Sequence, residues 1–249
     1  ARSRVLHVNS YPAATYSGRL QQFQWSGGIT RAMGKEHERA KLQLAEAFAS
    51  MVERMPAERI TVSMVTDAIG KHRKTFYYHF QSKEQLIIWL FRYDLACALE
   101  ERFPPEKLVY EPPADDSICG DFPFYVRNVQ ESGRIYNTPF FSMLATVLEK
   151  RRSYYRFIFS MRGPGTLDYY LHQLYQPVIR EDVEMILERE LTGVGPLQRE
   201  RIRDVFCRNA GIDFLAEFYT DAFLARFVER LTYSSSRRAA RDIIPFENI

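Results

Sequence analysis

Between Lys71 and Lys83 the sequence KHRKTFYYHFQSK places four cations, Lys71, Arg73, Lys74 and Lys83, within thirteen residues and no carboxylate among them. Thr75, Tyr77, Tyr78 and His79 are interleaved with them. The chemistry on offer is the holding of anions. Cationic side chains, hydroxyls and helix N-termini are the groups that grip phosphates, and a helix can enter the major groove of DNA and touch base edges. A solvated basic patch on an ordinary helical pair has the same composition, and charge alone does not separate the two.

The elements that must position these groups are legible on either side. Thr61 is a capping residue, and Val62, Val65 and Ile69 follow at the spacing of one helical face. Gly70 ends that helix, because glycine adopts the left-handed conformation at least cost. Lys71 and His72 make a short turn into a second helix, Arg73 to Phe80. There Phe76 and Phe80 share a face and Lys74, Thr75 and Tyr78 point the other way. Ser82 with Gln85 forms a capping box for a third helix through Leu86, Ile87, Ile88, Trp89, Leu90 and Phe91.

Thr61, Gly70, Thr75, Phe76, Tyr77, His79, Phe80, Ser82, Lys83, Glu84 and Leu86 together resemble the signature of the TetR family of bacterial transcriptional regulators. RKTFYYHF is similar to the branch that includes dihydroxyacetone-kinase activator-like regulators. The motif departs from the family at Lys71, where a small apolar residue is usual, and at His72, where Ser or Asn usually caps. The resemblance implies an all-α fold: a three-helix DNA-binding bundle with a helix-turn-helix, then a helical effector and dimerisation domain. It implies a homodimer, paired through its last two helices, on a palindromic operator. Arg39, Thr61, Tyr77 and Lys83 would hold phosphates, and Lys74, Thr75 and Tyr78 would meet base edges. His72 and Arg73 can do either, and Lys71 and His79 complete the DNA-facing set. Lys35 and Lys41 lie at the same helix start as Arg39. The implied activity is sequence-specific repression relieved by a small-molecule effector. The alternative keeps the fold and acts as an activator or co-regulator through protein partners.

The bulk properties agree with a basic partner surface near the N-terminus. The net charge of +3 is uneven. Residues 1–32 have four Arg and no acid; residues 33–92 have ten Lys and Arg against seven Asp and Glu; the remainder is net acidic. Residues 1–32 show no sustained period and read as a flexible leader ahead of Met33, with the composition of a basic arm or a transit peptide. The DNA-binding unit is expected at 33–82, with its first helix over about 36–55. A connecting helix over 83–102, a Pro-rich connector over 103–123, a second helical module over 124–232 and a loose tail over 233–249 follow. Cys97, Cys119 and Cys207 are odd in number and far apart, as in a reducing, cytoplasmic compartment. No stretch approaches the roughly 20 apolar residues of a membrane span.

In the second module helices are expected over 124–130, 140–150 behind Thr138 and Pro139, 154–161, 167–190, 197–208 and 212–231, with no competing strand. The last is apolar on most sides, as in a helix that is buried or docked on another subunit. The module's aromatics, Tyr154, Tyr155, Tyr170 and Tyr175 among them, suit a core or an effector pocket. An enzyme finds little support. Gly163-x-Gly165 and Gly193-x-Gly195 lack a third glycine and follow no strand, the five histidines form no HExxH, and no Cys-x-x-Cys occurs. No catalytic residue, metal or cofactor is expected.

Overall fold

The computed structural model describes residues 32–112, 118–129, 137–208 and 211–233. The leader, the tail, the Asp115 and Asp116 pair and Tyr136 lie outside the described residues.

Helix α1 (Ala32–Val52) turns Leu44, Ala45, Phe48, Ala49 and Val52 inward, the stripe that a helical period of 3.6 residues produces. It begins a few residues earlier than the sequence period suggests, and it also ends earlier, ahead of a separate 3-10 turn, Ala57–Arg59, which Pro56 opens and which buries Ala57 and Ile60. Helix α2 (Val62–Ala68) starts where Thr61 Oγ1 accepts from the Met64 amide at 3.2 Å. It closes in a Schellman motif. Gly70 sits at φ +64°, so the Lys71 amide reaches back to Thr66 O at 2.8 Å and the Gly70 amide to Asp67 O at 3.1 Å.

Helix α3 (Arg73–His79) follows, with Phe76 and Phe80 fully in the core. Helix α4 (Lys83–Arg102) is capped by Ser82 Oγ, which accepts from the Gln85 amide at 3.2 Å. The return bond of the expected capping box lands one residue away: Gln85 Oε1 accepts from the Gln81 amide, not from Ser82. Along α4 the buried set includes Leu86, Ile87, Trp89, Leu90, Phe91, Leu95 and Leu99, and with them Arg92 and Asp94.

Two expectations fail between Phe103 and Val129. The chain forms a two-residue antiparallel ladder of β1 (Leu108–Val109) and β2 (Tyr125–Val126), with Leu108 opposite Val126 and Val109 opposite Tyr125. Residues 124–129, the described part of the helix expected over 124–130, are therefore not helical, and a strand does occur. Phe124 and Tyr125 are large apolar groups with nowhere to go in a lone helical turn, whereas as an extended segment both enter the core.

Helices α5 (Thr138–Lys150), α6 (Arg152–Ile158), α7 (Leu167–Glu190), α8 (Pro196–Arg208) and α9 (Gly211–Tyr233) complete the described chain. Apart from the ladder the fold is all-α. Asn137, not Thr138, is the N-cap of α5, and its side chain makes no capping bond. The broadest helix contact is α7 on α9, where Tyr175 and Phe223 meet at 5.4 Å. The core runs without a break from Leu44 in α1 to Leu231 in α9.

Charge crosses that core at Arg151, between α5 and α6. Its guanidinium grips Glu46 of α1 at 2.8 and 2.5 Å and Asp94 of α4 at 2.6 Å. Asp94 is nearly buried, so removing its partner leaves an uncompensated charge in low dielectric. Arg151→Met is expected to lower the unfolding free energy by about 3 kcal/mol, measured by urea denaturation with an unchanged denaturant slope.

Candidate nucleic-acid interface

The short span from Thr61 to Lys83 brings most of the candidate residues onto one surface. α3 is seven residues long, roughly 10 Å, and the diameter of a helix with its side chains, about 10–12 Å, matches a major groove about 12 Å wide. Burial of Phe76 and Phe80 fixes its rotation about its own axis, so the remaining positions face outward. Lys71, His72, Arg73, Lys74, Tyr77 and Tyr78 are exposed, Tyr78 at 75% and Tyr77 at 52%. Thr75 is half-buried beside them, and Arg39 is exposed on α1. The α3 N-terminus is left open. His72 occupies the N-cap with extended backbone but makes no side-chain capping bond, and only the Thr75 amide is bound to His72 O. Orphan N–H groups at such an end favour an anion.

Within the surface, Arg73 is held against Tyr77. An Nη atom donates to the Tyr77 hydroxyl at 3.3 Å, and the guanidinium lies 5.9 Å from the ring centroid. That contact leaves the Tyr77 O–H able to donate outward. Thr61 is exposed, and its hydroxyl oxygen accepts the cap bond while its proton remains available to a phosphate oxygen.

Lys83 is placed differently from its neighbours. Its Nζ donates to Ala57 O at 3.0 Å and Ile60 O at 2.9 Å, joining the start of α4 to the 3-10 turn before α2. Two of its three N–H bonds thus serve the fold, and one remains. Lys41 is also drawn inward, its ammonium 5.9 Å from the Phe80 ring and 5.7 Å from the Trp89 ring. Burial holds its pKa below the usual lysine value. The Lys35 side chain lies outside what is described.

His79 turns its Nδ1 edge toward α1 and is half-buried. Its ring is 4.4 Å from His37 and 4.9 Å from Tyr78, and Nδ1 is buried with no acceptor or donor opposite it. Burial, followed by the nearby His37 and Lys41, lowers its pKa to about 4, so it is neutral at pH 7. His37, the α1 half of this contact, is not distinguished in the sequence by any motif.

Among the described residues no group of three or more His, Cys, Asp or Glu is placed to hold a metal, and no helix is long and apolar enough to cross a membrane. No protein-family model matches the chain, and no curated protein sequence matches it. One solved structure to which it is similar is the dihydroxyacetone kinase operon activator DhaS. The identity is 14%, the TM-score 0.46, and the match covers 84% of this chain and 94% of that one. The chemistry of the surface therefore rests on its own residues.

The Lys83 bonds predict that Lys83→Met costs about 2 kcal/mol of stability, the worth of charge-assisted hydrogen bonds to partly buried carbonyls. An exposed lysine would lose a few tenths at most, and urea denaturation separates the two. His79 makes a prediction about pH. Its folded pKa lies below its unfolded value of about 6.5, so between the two the unfolded chain binds more protons and stability falls as the solution is acidified from about pH 6.5 towards 4. Thermal melts across that window are expected to drop less steeply for His79→Asn than for the wild type.

Proposed function

We propose that the chain is a sequence-specific DNA-binding regulator that acts as a homodimer. The observation that carries this is the two-sidedness of α3: Phe76 anchors one face, while Arg73, Lys74, Tyr77 and Tyr78 stand exposed on the rest, with Lys71 exposed in the turn before them and no carboxylate among them. An ordinary solvated helix mixes signs. A face of cations, phenols and a threonine beside an uncapped helix end suits a phosphate backbone flanking a groove.

In this proposal α3 enters the major groove. Lys74, Thr75 and Tyr78 meet base edges, Arg73 and His72 reach either bases or phosphates, and Thr61, Tyr77 and Arg39 hold the backbone. Lys71 adds charge at the turn. Lys83 sets the angle of α3 by tying α4 to the turn before α2, with its third N–H left for a phosphate. His79, neutral and turned to α1, supports Tyr78 and makes no ionic contact.

Dimerisation through α8 and α9 is supported by the apolar groups those helices leave uncovered. Phe214 and Phe218 stack at 6.1 Å while 63% and 54% exposed, and Leu197 and Val205 of α8 are exposed as well. Such groups are those a subunit contact covers. A twofold dimer places two α3 helices on half-sites one helical turn, about 34 Å, or a small multiple apart. An effector in the second module regulates binding if it favours a dimer whose α3 helices are spaced wrongly for DNA, so that the two states bind it with different affinity.

Selection from random duplex DNA by the purified protein tests the proposal. An enriched palindrome is expected, degenerate at one position per half-site in Lys74→Ala and unchanged in sequence but recovered only at lower salt in Tyr77→Ala. Lys74→Ala should relax one base position at a cost of ~1 to 3 kcal/mol, whereas Tyr77→Ala should weaken all sequences alike. Salt-sensitive binding without any enriched sequence would refute it.

A further inference from the structure

The most deeply buried charge in the described chain lies outside the DNA-facing surface. Arg92, on α4, has a fully buried side chain. It donates through Nη1 to Glu111 Oε2 at 2.7 Å and to the Tyr170 hydroxyl on α7, and through Nη2 to Cys119 O at 3.3 Å and to Phe122 O. Its Nε is buried and has no acceptor. Tyr170 in turn donates to Glu111 Oε1 at 3.4 Å, so one carboxylate is held by a guanidinium and a phenol together. Around this pair stand aromatic rings: Phe124 lies 5.3 Å from the guanidinium, and Phe122 packs 6.0 Å from Trp89.

The members of this cluster are not equally fixed. Two acceptors are backbone carbonyls and the third is a phenol on a long helix. Glu111 is a side chain in the irregular segment after β1, 23% exposed, between the exposed Tyr110 and Pro112. It is the member that can leave at least cost. A buried ion pair adds little stability over apolar residues of equal volume, so packing alone does not account for a guanidinium in a helix whose buried face is mostly apolar. The unpaired Nε also leaves donor capacity that the tethered carboxylate does not use.

We infer that Arg92 and Tyr170 form a receptor for the carboxylate of a small organic acid, that Glu111 is its built-in occupant, and that the acid displaces Glu111 and rests its organic group on Phe122 and Phe124. Guanidinium with phenol recognises a planar anion in two places, and the aromatic surroundings favour an arylalkyl or alkyl chain over a polar one. This deepens the regulator proposal by naming the chemical class of its effector. α4 directly follows α3, so exchange at Arg92 acts on the helix that carries the DNA-facing surface.

The test is titration calorimetry of the full chain, without DNA, using phenylacetate and butanoate, with phenylacetamide as the uncharged match. Phenylacetate is expected to bind and the amide not. Glu111→Gln removes the internal competitor and is expected to tighten binding by about tenfold or more, because the competent state no longer has to be vacated. Arg92→Met is expected to abolish binding. Tyr170→Phe, a milder change that keeps the ring, is expected to weaken it about tenfold. Binding that is unchanged in Tyr170→Phe, or absent from both the wild type and Glu111→Gln, would overturn the inference. Because no DNA is present, that failure leaves the DNA-binding proposal standing, and an unsuccessful DNA selection leaves this one standing.

Discussion

Helix α4 can be buried on nearly every side only if Arg92 and Asp94 are neutralised within the core, and much of the architecture follows from that constraint. Each charge needs partners that α4 itself does not hold. For Asp94 they are Arg151 at the α5 to α6 corner and, through the same guanidinium, Glu46 of α1. For Arg92 they are Tyr170 of α7, Glu111 after β1 and the carbonyls of Cys119 and Phe122. The apolar residues of α4 supply burial free energy without direction. The two charges supply direction, since each is satisfied in few arrangements and is costly in the others.

From that frame the small helices inherit their orientation. Lys83, the first residue of α4, holds the carbonyls of Ala57 and Ile60, and Phe80 packs at 5.8 Å against Trp89 one turn and a half further along α4. Between these two attachments α3 has little freedom to rotate, so the identity of its outward residues follows from the packing of its inward ones. The link from sequence to function thus passes through a helix that itself carries none of the base-edge candidates.

What could be read in advance was local. The cap at Thr61, the left-handed glycine at Gly70 and the cap at Ser82 are fixed by neighbours within about six residues, and each lies where the residue types indicate. Phe76 and Phe80 were legible for the same reason. What could not be read depends on residues far apart in the chain. Lys83 looks like any basic residue at a helix start until its carbonyl partners, 23 and 26 residues earlier, are known. The β1 to β2 ladder is two residues long, too short for an alternating pattern, and its strands are far apart in the sequence. His79 reads as a polar member of a basic motif, yet His37 and α1 bury one side of it. Arg92 left one trace, a charge in the middle of an apolar helix, but a solvated edge of that helix would leave the same trace.

The central claim is that duplex DNA lies against α3 and the turn before it. Amide hydrogen exchange of the full chain, with and without the duplex it selects, tests this most directly. The predicted result is slowed exchange concentrated between Thr61 and Lys83. Unchanged exchange there, with slowing confined to α7, α8 or α9, would place the nucleic acid elsewhere and contradict the account.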